Sequence, residues 1–484
     1  MAIPAASQLR NSAVPRASAE LRLVAEQMFA RAGGAPLVGG NAVRILRDAG
    51  ENYPAWLAAI AGARRSILFE NYILADDATG REFVAALSER ARAGVAVRLI
   101  YDWMGALGVG TRRLLQPLAA AGGVVRCFNK PRLDSPFGWL TRDHRKMVAI
   151  DSEVGYVSGL CVSAKWLGDP QRGIAPWRDT GIEIRGPVVA DVERAFAQTW
   201  AAAGGGPLDV VPVPAAPAGE VMLRVLASEP SLAGLYRLDQ MIAALARETL
   251  WLTDAYFVGI APYVQALRAA ARDGVDVRLL VPGASDLPLV GQVSRAGYRP
   301  LLETGIRVFE WNGAMLHAKT AVADGRWARV GSTNLNIASW ISNYELDIAI
   351  EDVACASSMQ DIYEQDLCNA TEIVLGAKHR VRRSPSTAGP RRVSGSGGRA
   401  ARAAAGALRI GNTVGAAFSN RRMLGPAESG MMFSVALGFL ALAAVALLLP
   451  RALTVPLALL ALWIAVTLLV RAWRMRKGGT EEDF

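Results

Sequence analysis

The chain has 484 residues, 52% of them hydrophobic and 20% charged, which is enough to fill two or three ordinary domains and excludes a disordered chain. Its net charge of +10 is local, because eleven Lys and Arg and no acidic residue fall between Lys378 and Arg422; the near-neutral remainder argues against a nucleic-acid-coating protein. Four cysteines without CxxC spacing and only three histidines argue against a disulfide framework or a zinc site, and suit a reducing cytosol.

The N-terminal "MAIPAASQLRNSAVPRASAELRL" has no apolar run long enough for a signal peptide, so residues 1–35 read as an extension and no export is expected. From Ala86, "ALSERARAGVAVRLIYDWMG" reads as an amphipathic helix, a Gly stop and an alternating β-branched strand. The same unit returns from Ala266 as "ALRAAARDGVDVRLLVPGAS". Farther on, "AAAGGVVRCFN" from Ala119 finds its counterpart in "LLETGIRVFEW" from Leu301, so the order of the echo is kept. A duplication accounts for this. We expect two α/β halves, 36–205 and 221–376, each with helices on both faces of a mixed sheet and packed face to face. The Gly, Pro and Ala-rich residues 206–220 join them.

After 376 the composition changes twice. Residues 377–428 read as a basic low-complexity tether. Met431–Leu449 and Ala452–Val470 are each nineteen residues without a charge, long enough for a transmembrane hairpin over 431–470, followed by a tail at 471–484. Arg421 and Arg422 before it, and Arg471, Arg474, Arg476 and Lys477 after it, place both ends on the cytoplasmic side.

Two of the three histidines stand in register within the repeat. "DHRKMVAID" carries His144, Lys146 and Asp151, and "LHAKTAVAD" carries His317, Lys319 and Asp324, each spaced His-x-Lys-x4-Asp. On a strand, residues i and i+2 share a face, so each copy sets an imidazole beside a fixed cation, an arrangement suited to phosphate. In "GSTN" after the second copy, Ser332 and Asn334 offer short donors to the same anion. The first copy reads "SGLC" there, with Gly159 and Cys161 in those places, so the halves are not equivalent.

These paired motifs resemble those of the phospholipase D superfamily, and "FENYIL", "WRDTGIEIRGPVV", "TDAYFV" and "RLLVPGASD" look most like the bacterial cardiolipin synthases. The resemblance covers roughly residues 36–376. It implies a fold of two phospholipase D-like α/β domains packed face to face, a phosphohistidine intermediate and neither cofactor nor metal. By resemblance His144 is the nucleophile and His317 the acid, while the symmetry of the motif leaves the order open. Lys146 and Lys319 would hold the phosphate oxygens, and Glu345 and Asp179 would orient the histidines. Asp151 and Asp324, at the strand ends, are expected to lock loops. The implied reaction condenses two phosphatidylglycerols into cardiolipin at the inner membrane of a bacterium, the catalytic halves on the cytoplasmic side and the basic tether favouring anionic lipid. A hydrolytic phospholipase D would use the same residues. A nuclease of the superfamily fits the neutral body less well, so no nucleic-acid partner is expected.

Overall fold

The computed structural model describes residues 26–131, 140–208, 215–375 and 381–383, together with scattered helical positions between Leu437 and Leu469. In the first half, strands β1 (Val38–Arg47), β2 (Ser66–Asn71), β3 (Ala96–Asp102), β4 (Val124–Phe128), β6 (Lys146–Ile150), β7 (Val154–Ser158) and β8 (Thr180–Arg185) form one sheet. A short β5 (Arg142–Asp143) stands before β6. The second half supplies β9 (Val221–Ser228), β10 (Thr249–Thr253), β11 (Asp276–Pro282), β12 (Arg307–Trp311), β13 (Thr320–Ala323), β14 (Trp327–Gly331) and β15 (Asn343–Glu351).

The two sheets have the same strand order. In the first it is β4-β3-β2-β6-β7-β8-β1, with β2, β3 and β4 parallel and the other pairs antiparallel. The second runs β12-β11-β10-β13-β14-β15-β9 with the same parallel trio. Beyond β12 it is extended by β16 (Ala370–Leu375) and β17 (Val381–Arg383). The protein is therefore a duplicated, mixed α/β fold.

Burial follows from this layering. Strand β2, "SILFEN", is buried at every position because helices cover both faces of its sheet, with helix Val189–Ala202 packed on the inner face of β2, which removes the alternation of a half-exposed strand. Helices Asp48–Gly62 and Ala78–Arg92 pack on the outer face through Tyr53, Trp56 and Phe83. Asp77 caps the second of these by accepting from the Gly80 amide at 3.0 Å. Between the sheets, Met147, Val157 and Ile182 of one half share a core with Val330, Leu346 and Ile348 of the other. Edge strands β1 and β9 pair with each other as well.

Two crossings matter for the site. Strand β5 pairs in parallel with the start of β15, Asn343 opposite Arg142 and Tyr344 opposite Asp143. On the other side, Arg178 before β8 bridges Leu316 before β13. Each histidine-bearing strand is thus entered through a contact with the opposite half. Among the described residues, no helix is long and apolar enough to cross a membrane. The extension at 1–25, most of the tether and the hairpin expected at 431–470, as a continuous helix pair, lie outside the described residues.

Candidate active site

The crossings bring the histidines to one cavity of about 650 Å³, lined by both His144 and His317. The His144 amide donates to Tyr344 O at 2.9 Å and the His317 amide to Arg178 O at 2.7 Å. The residue after each of those carbonyls is a carboxylate. His144 Nδ1 meets Glu345 Oε2 at 2.9 Å, and His317 Nδ1 meets Asp179 Oδ2 at 2.8 Å. Each imidazole is therefore held by a carboxylate from the other half, which fixes the proton on Nδ1 and leaves the lone pair on Nε2.

The carboxylates are held in turn, by different means. Glu345 accepts from Ser332 Oγ at 2.6 Å and from Asn343 Nδ2 at 3.0 Å. Asp179 accepts from Trp166 Nε1 at 2.9 Å and from the Thr180 amide at 2.9 Å. Gly159, where the second copy has Ser332, has a physical reason: a Cβ there would lie 2.2 Å from Asp179 Oδ1. The shorter aspartate approaches the strand so closely that only glycine fits.

Burial dominates the electrostatics. It drives both imidazoles below their ordinary range, to about 4, despite the opposing pull of Glu345 on His144 and of Asp179 on His317. Both are neutral at pH 7. Asp179 and Glu345 have pKa values below normal: burial pushes them up, and the adjoining histidine, the lysine and the hydrogen-bond donors around each together outweigh it. Lys146 and Lys319 donate to the carbonyls of His144 and His317. Burial lowers Lys319 to about 8; Asp179 opposes that shift and Lys146 adds to it. Two buried ammonium groups close enough to repel make a natural seat for an anion. Lys319 Nζ also lies 3.0 Å from His317 Nδ1, but Asp179 takes that nitrogen's proton, so the contact raises the cost of an imidazolium rather than adding a bond.

The remaining predicted residues are placed as follows. Asp151 accepts from the amides of Arg64, Arg65 and Ser66 at 2.7–2.8 Å, and Asp324 from those of Arg247, Glu248 and Thr249 at 2.8–3.2 Å. Both lie in left-handed turns at the far end of the strand, about 20 Å from the histidines at 3.3 Å per residue, and tie the β6–β7 and β13–β14 turns to the start of β2 and β10. Ser332 departs from expectation. Its hydroxyl is engaged by Glu345 and by the Leu346 amide at 2.9 Å, so it supports the carboxylate instead of facing phosphate. Asn334 is fully buried, its Nδ2 makes only a 3.5 Å contact to Ser339 Oγ and its Oδ1 has no protein partner. The unpartnered atom is an acceptor, and Asn334 is not among the described residues that line the cavity. Cys161 lines the cavity, and burial raises its thiol pKa, which keeps it protonated.

Sequence reasoning missed the aromatic walls. Tyr72 meets the His144 ring edge-on at 5.0 Å, while Trp166, Trp177 and Tyr256 surround His317 at 5.2–5.8 Å. It also missed two buried arginines that brace the crossings. Arg145 donates to Glu345 O at 3.1 Å and Ser228 O at 3.0 Å, and Arg178 Nε grips Asp366 at 2.9 Å while its Nη1 reaches Asp48 at 3.1 Å. Their signal was adjacency: Arg145 follows a motif histidine and Arg178 precedes an orienting aspartate. Among the described residues no cluster of His, Cys, Asp and Glu has the arrangement of a metal site.

The chain is similar to known proteins over both halves. The family described as "Cardiolipin synthase, PLD-like domain" matches residues 56–200 and 239–367. Cardiolipin synthase A of Pseudomonas fluorescens is 32% identical over 361 residues, covering 72% of this chain and 74% of that protein. Cardiolipin synthase 1 of Bacillus cereus is 28% identical over 364 residues, covering 72% and 70%. Among solved structures, the phosphatidylserine synthase of Haemophilus influenzae Rd KW20 shares the fold with a TM-score of 0.55, over 71% of this chain and 92% of that one, at 14% identity.

Proposed function

The chain belongs to the phospholipase D-like family of cardiolipin synthases, and from that premise we propose that it is a phosphatidyltransferase that condenses two phosphatidylglycerols into cardiolipin and glycerol. The observation that carries this reading is the crossed pair: two buried, neutral imidazoles in one cavity, each backed by a carboxylate from the opposite half. His144 Nε2 attacks the phosphorus of the first lipid, and His317 gives a proton to the departing glycerol oxygen. His317 then removes the proton from a primary hydroxyl of the second lipid, whose oxygen displaces His144. Before the first step His317 has to gain a proton, and the entering phosphodiester anion supplies the charge that makes this favourable.

Lys146, Lys319 and the amide of Asn334 stabilise the oxygens of the transferring group. Water has to be kept from the phosphohistidine, and the aromatic lining from Tyr72, Trp166, Trp177 and Tyr256 serves that end. Exposed Leu107 lines the mouth, and Leu167 and Leu289, also exposed, neighbour lining residues; a lipid surface would cover them. In this reading the halves at 36–205 and 221–376 are anchored by the hairpin at 431–470 to the inner membrane of a bacterium, with the tether on anionic lipid at the cytoplasmic face.

The test is phosphatidylglycerol in mixed micelles with purified protein. Cardiolipin and glycerol are expected in equal amounts, and phosphatidic acid with glycerol would replace transfer by hydrolysis. Activity should survive exhaustive chelation with EDTA, since lysines carry the charge. Reporters fused at both ends should appear cytoplasmic, and a periplasmic signal at either end would remove the hairpin.

A further inference from the structure

We propose that Asp254 is a positioning residue that keeps Lys319 charged while the cavity is empty, so that the seat for phosphate is complete before a lipid arrives. The inference rests on the reading of Lys319 as a phosphate-holding group and deepens it. In each half one side chain stands opposite the motif lysine on the neighbouring strand. Asn71, at the end of β2, pairs with Lys146 of β6. In the second half Thr253 of β10 pairs with Thr320 of β13, so the next antiparallel pair sets Asp254 opposite Lys319. The strands keep their hydrogen bonds to that level, since the Asp254 amide donates to Leu280 O at 3.0 Å and the Gly331 amide to Lys319 O at 3.3 Å. Residues directly opposed across two strands share a face, and their side chains meet. The duplication has therefore put a neutral amide beside one lysine and a carboxylate beside the other.

Asp254 is fully buried and firmly held. Its Oδ1 accepts from the Leu335 amide at 2.9 Å and its Oδ2 from the Tyr256 amide at 3.1 Å. Asn71 has a looser hold, with 3.4 Å contacts to the Ile73 amide and to Leu160 O. Burial pushes the Asp254 carboxyl up to about 7, against the pull of the two amides, Lys319 and Arg329. It is therefore ionised on the alkaline side of neutrality, where Lys319, lowered by burial, would lose its proton. Around that ammonium, Asp179 and Asp254 favour the charge and Lys146 opposes it, while Cys161, His317 Nδ1 at 3.0 Å and the Tyr256 ring at 5.7 Å also adjoin it. Asp179 is already shared among His317, Trp166 and the Thr180 amide. Asp254, whose described bonds are to backbone amides, is the carboxylate left to face the lysine.

A bound phosphodiester lies between the lysines and supplies negative charge itself, so Asp254 matters most to the free enzyme. That distinction is measurable, because kcat/KM reports ionisations of the free enzyme and kcat those of the complex. With phosphatidylglycerol in mixed micelles, and cardiolipin and phosphatidic acid counted together, wild-type kcat/KM should fall as Lys319 loses its proton near pH 8. Asp254→Asn gives the second half the residue of the first. It should move that fall down by about one pH unit, the effect of losing an adjoining opposite charge, and so raise the ratio of kcat/KM at pH 6 to that at pH 8.5 about 7-fold. The kcat profile should move much less. Asp254→Glu, which returns the charge without the fit to both amides, should bring the fall back toward pH 8 whatever its rate. Asp254→Ser, smaller and uncharged, should behave as the Asn variant does. Profiles of wild-type shape in the Asn and Ser variants, equal shifts in kcat and kcat/KM, or loss of activity at every pH in both would overturn the proposal and leave Asp254 as a tie between Tyr256 and its loop. Phosphatidic acid in place of cardiolipin would overturn transfer and leave this test standing, since hydrolysis needs the same seat.

Discussion

His144 and His317 descend from the same repeat and share a lysine two residues on, a carboxylate on Nδ1 and a backbone bond to the opposite half, yet the groups that hold those carboxylates differ. Glu345 is steadied by a serine and an asparagine, while Asp179, one carbon shorter, is steadied by a tryptophan and a backbone amide. One aromatic ring touches His144 and three touch His317. The duplication has kept the histidine, the lysine and a carboxylate and exchanged the groups that hold them, which means that support can be replaced so long as Nδ1 keeps its acceptor. Crossing the carboxylates between halves adds a second constraint. Neither half contains a complete histidine–carboxylate pair.

The sharpest break of this comparison is to remove each imidazole. Replacing His144 or His317 with Ala should reduce turnover by ~10²- to 10⁴-fold, the range of an acid/base group, and His379→Ala should be silent. Quench-flow trapping of phosphoprotein separates the roles, since the nucleophile's variant forms none; phosphoprotein in His144→Ala would exchange the assignments. The same residues set the acid response. Burial lowers both imidazoles from 6.5 to about 4, so between those values the unfolded chain binds protons that the native one excludes. Stability contributed by the neutral histidines is then lost as pH falls through that window. Urea unfolding at pH 7 and pH 5 should show the loss, and it should shrink in either Ala variant.

Removing the charge behind each ring comes next. Glu345→Gln and Asp179→Asn each replace an ionised acceptor on Nδ1 and should cost roughly 10- to 100-fold in kcat, from the ~1.5–3 kcal/mol of a charge-assisted bond. The prediction is symmetric by construction. A tenfold disparity between the two would show that one histidine depends on its carboxylate more, and would identify the one that must become imidazolium. Asn334→Cys tests the asymmetry between "GSTN" and "SGLC". Losing the amide should slow turnover about 5- to 100-fold by leaving a phosphate oxygen unpaired, at ~1–3 kcal/mol, whereas Cys161→Asn should be tolerated. Equal rates for wild type and a folded Asn334→Cys would mean that this amide never meets phosphate.

The strand-helix echo made the duplicated α/β fold legible, because helical period, Gly stop and β-branched alternation are local properties repeated in the same order. The paired motifs made the two histidines that share the cavity, and the lysines beside them, legible for the same reason. What was hidden is what only the crossing creates. No local pattern says that Glu345 serves the distant His144, or that Trp166, from a short turn of the first half, caps a carboxylate serving the second. Ser332 misled because a hydroxyl in a motif looks alike whether it points to phosphate or to Glu345, and a single geometric fact, its 2.6 Å contact, separates the two.

The smallest expected effect bears on whether the two sets of supports are interchangeable. Ser332→Ala removes one donor from Glu345 but leaves Asn343 Nδ2 at 3.0 Å, and Trp166→Phe removes one from Asp179 but leaves the Thr180 amide at 2.9 Å. With a second donor in place, each loss should cost only the ~0.5–1.5 kcal/mol of an ordinary hydrogen bond, or about 2- to 10-fold in kcat. KM for phosphatidylglycerol should hardly change for Ser332→Ala, whose residue does not line the cavity. Trp166 does line it, so Trp166→Phe should raise KM as well. A Ser332→Ala enzyme that lost 100-fold or more would show that its hydroxyl reaches the reacting phosphate after all, and would return the serine to the role its motif suggested.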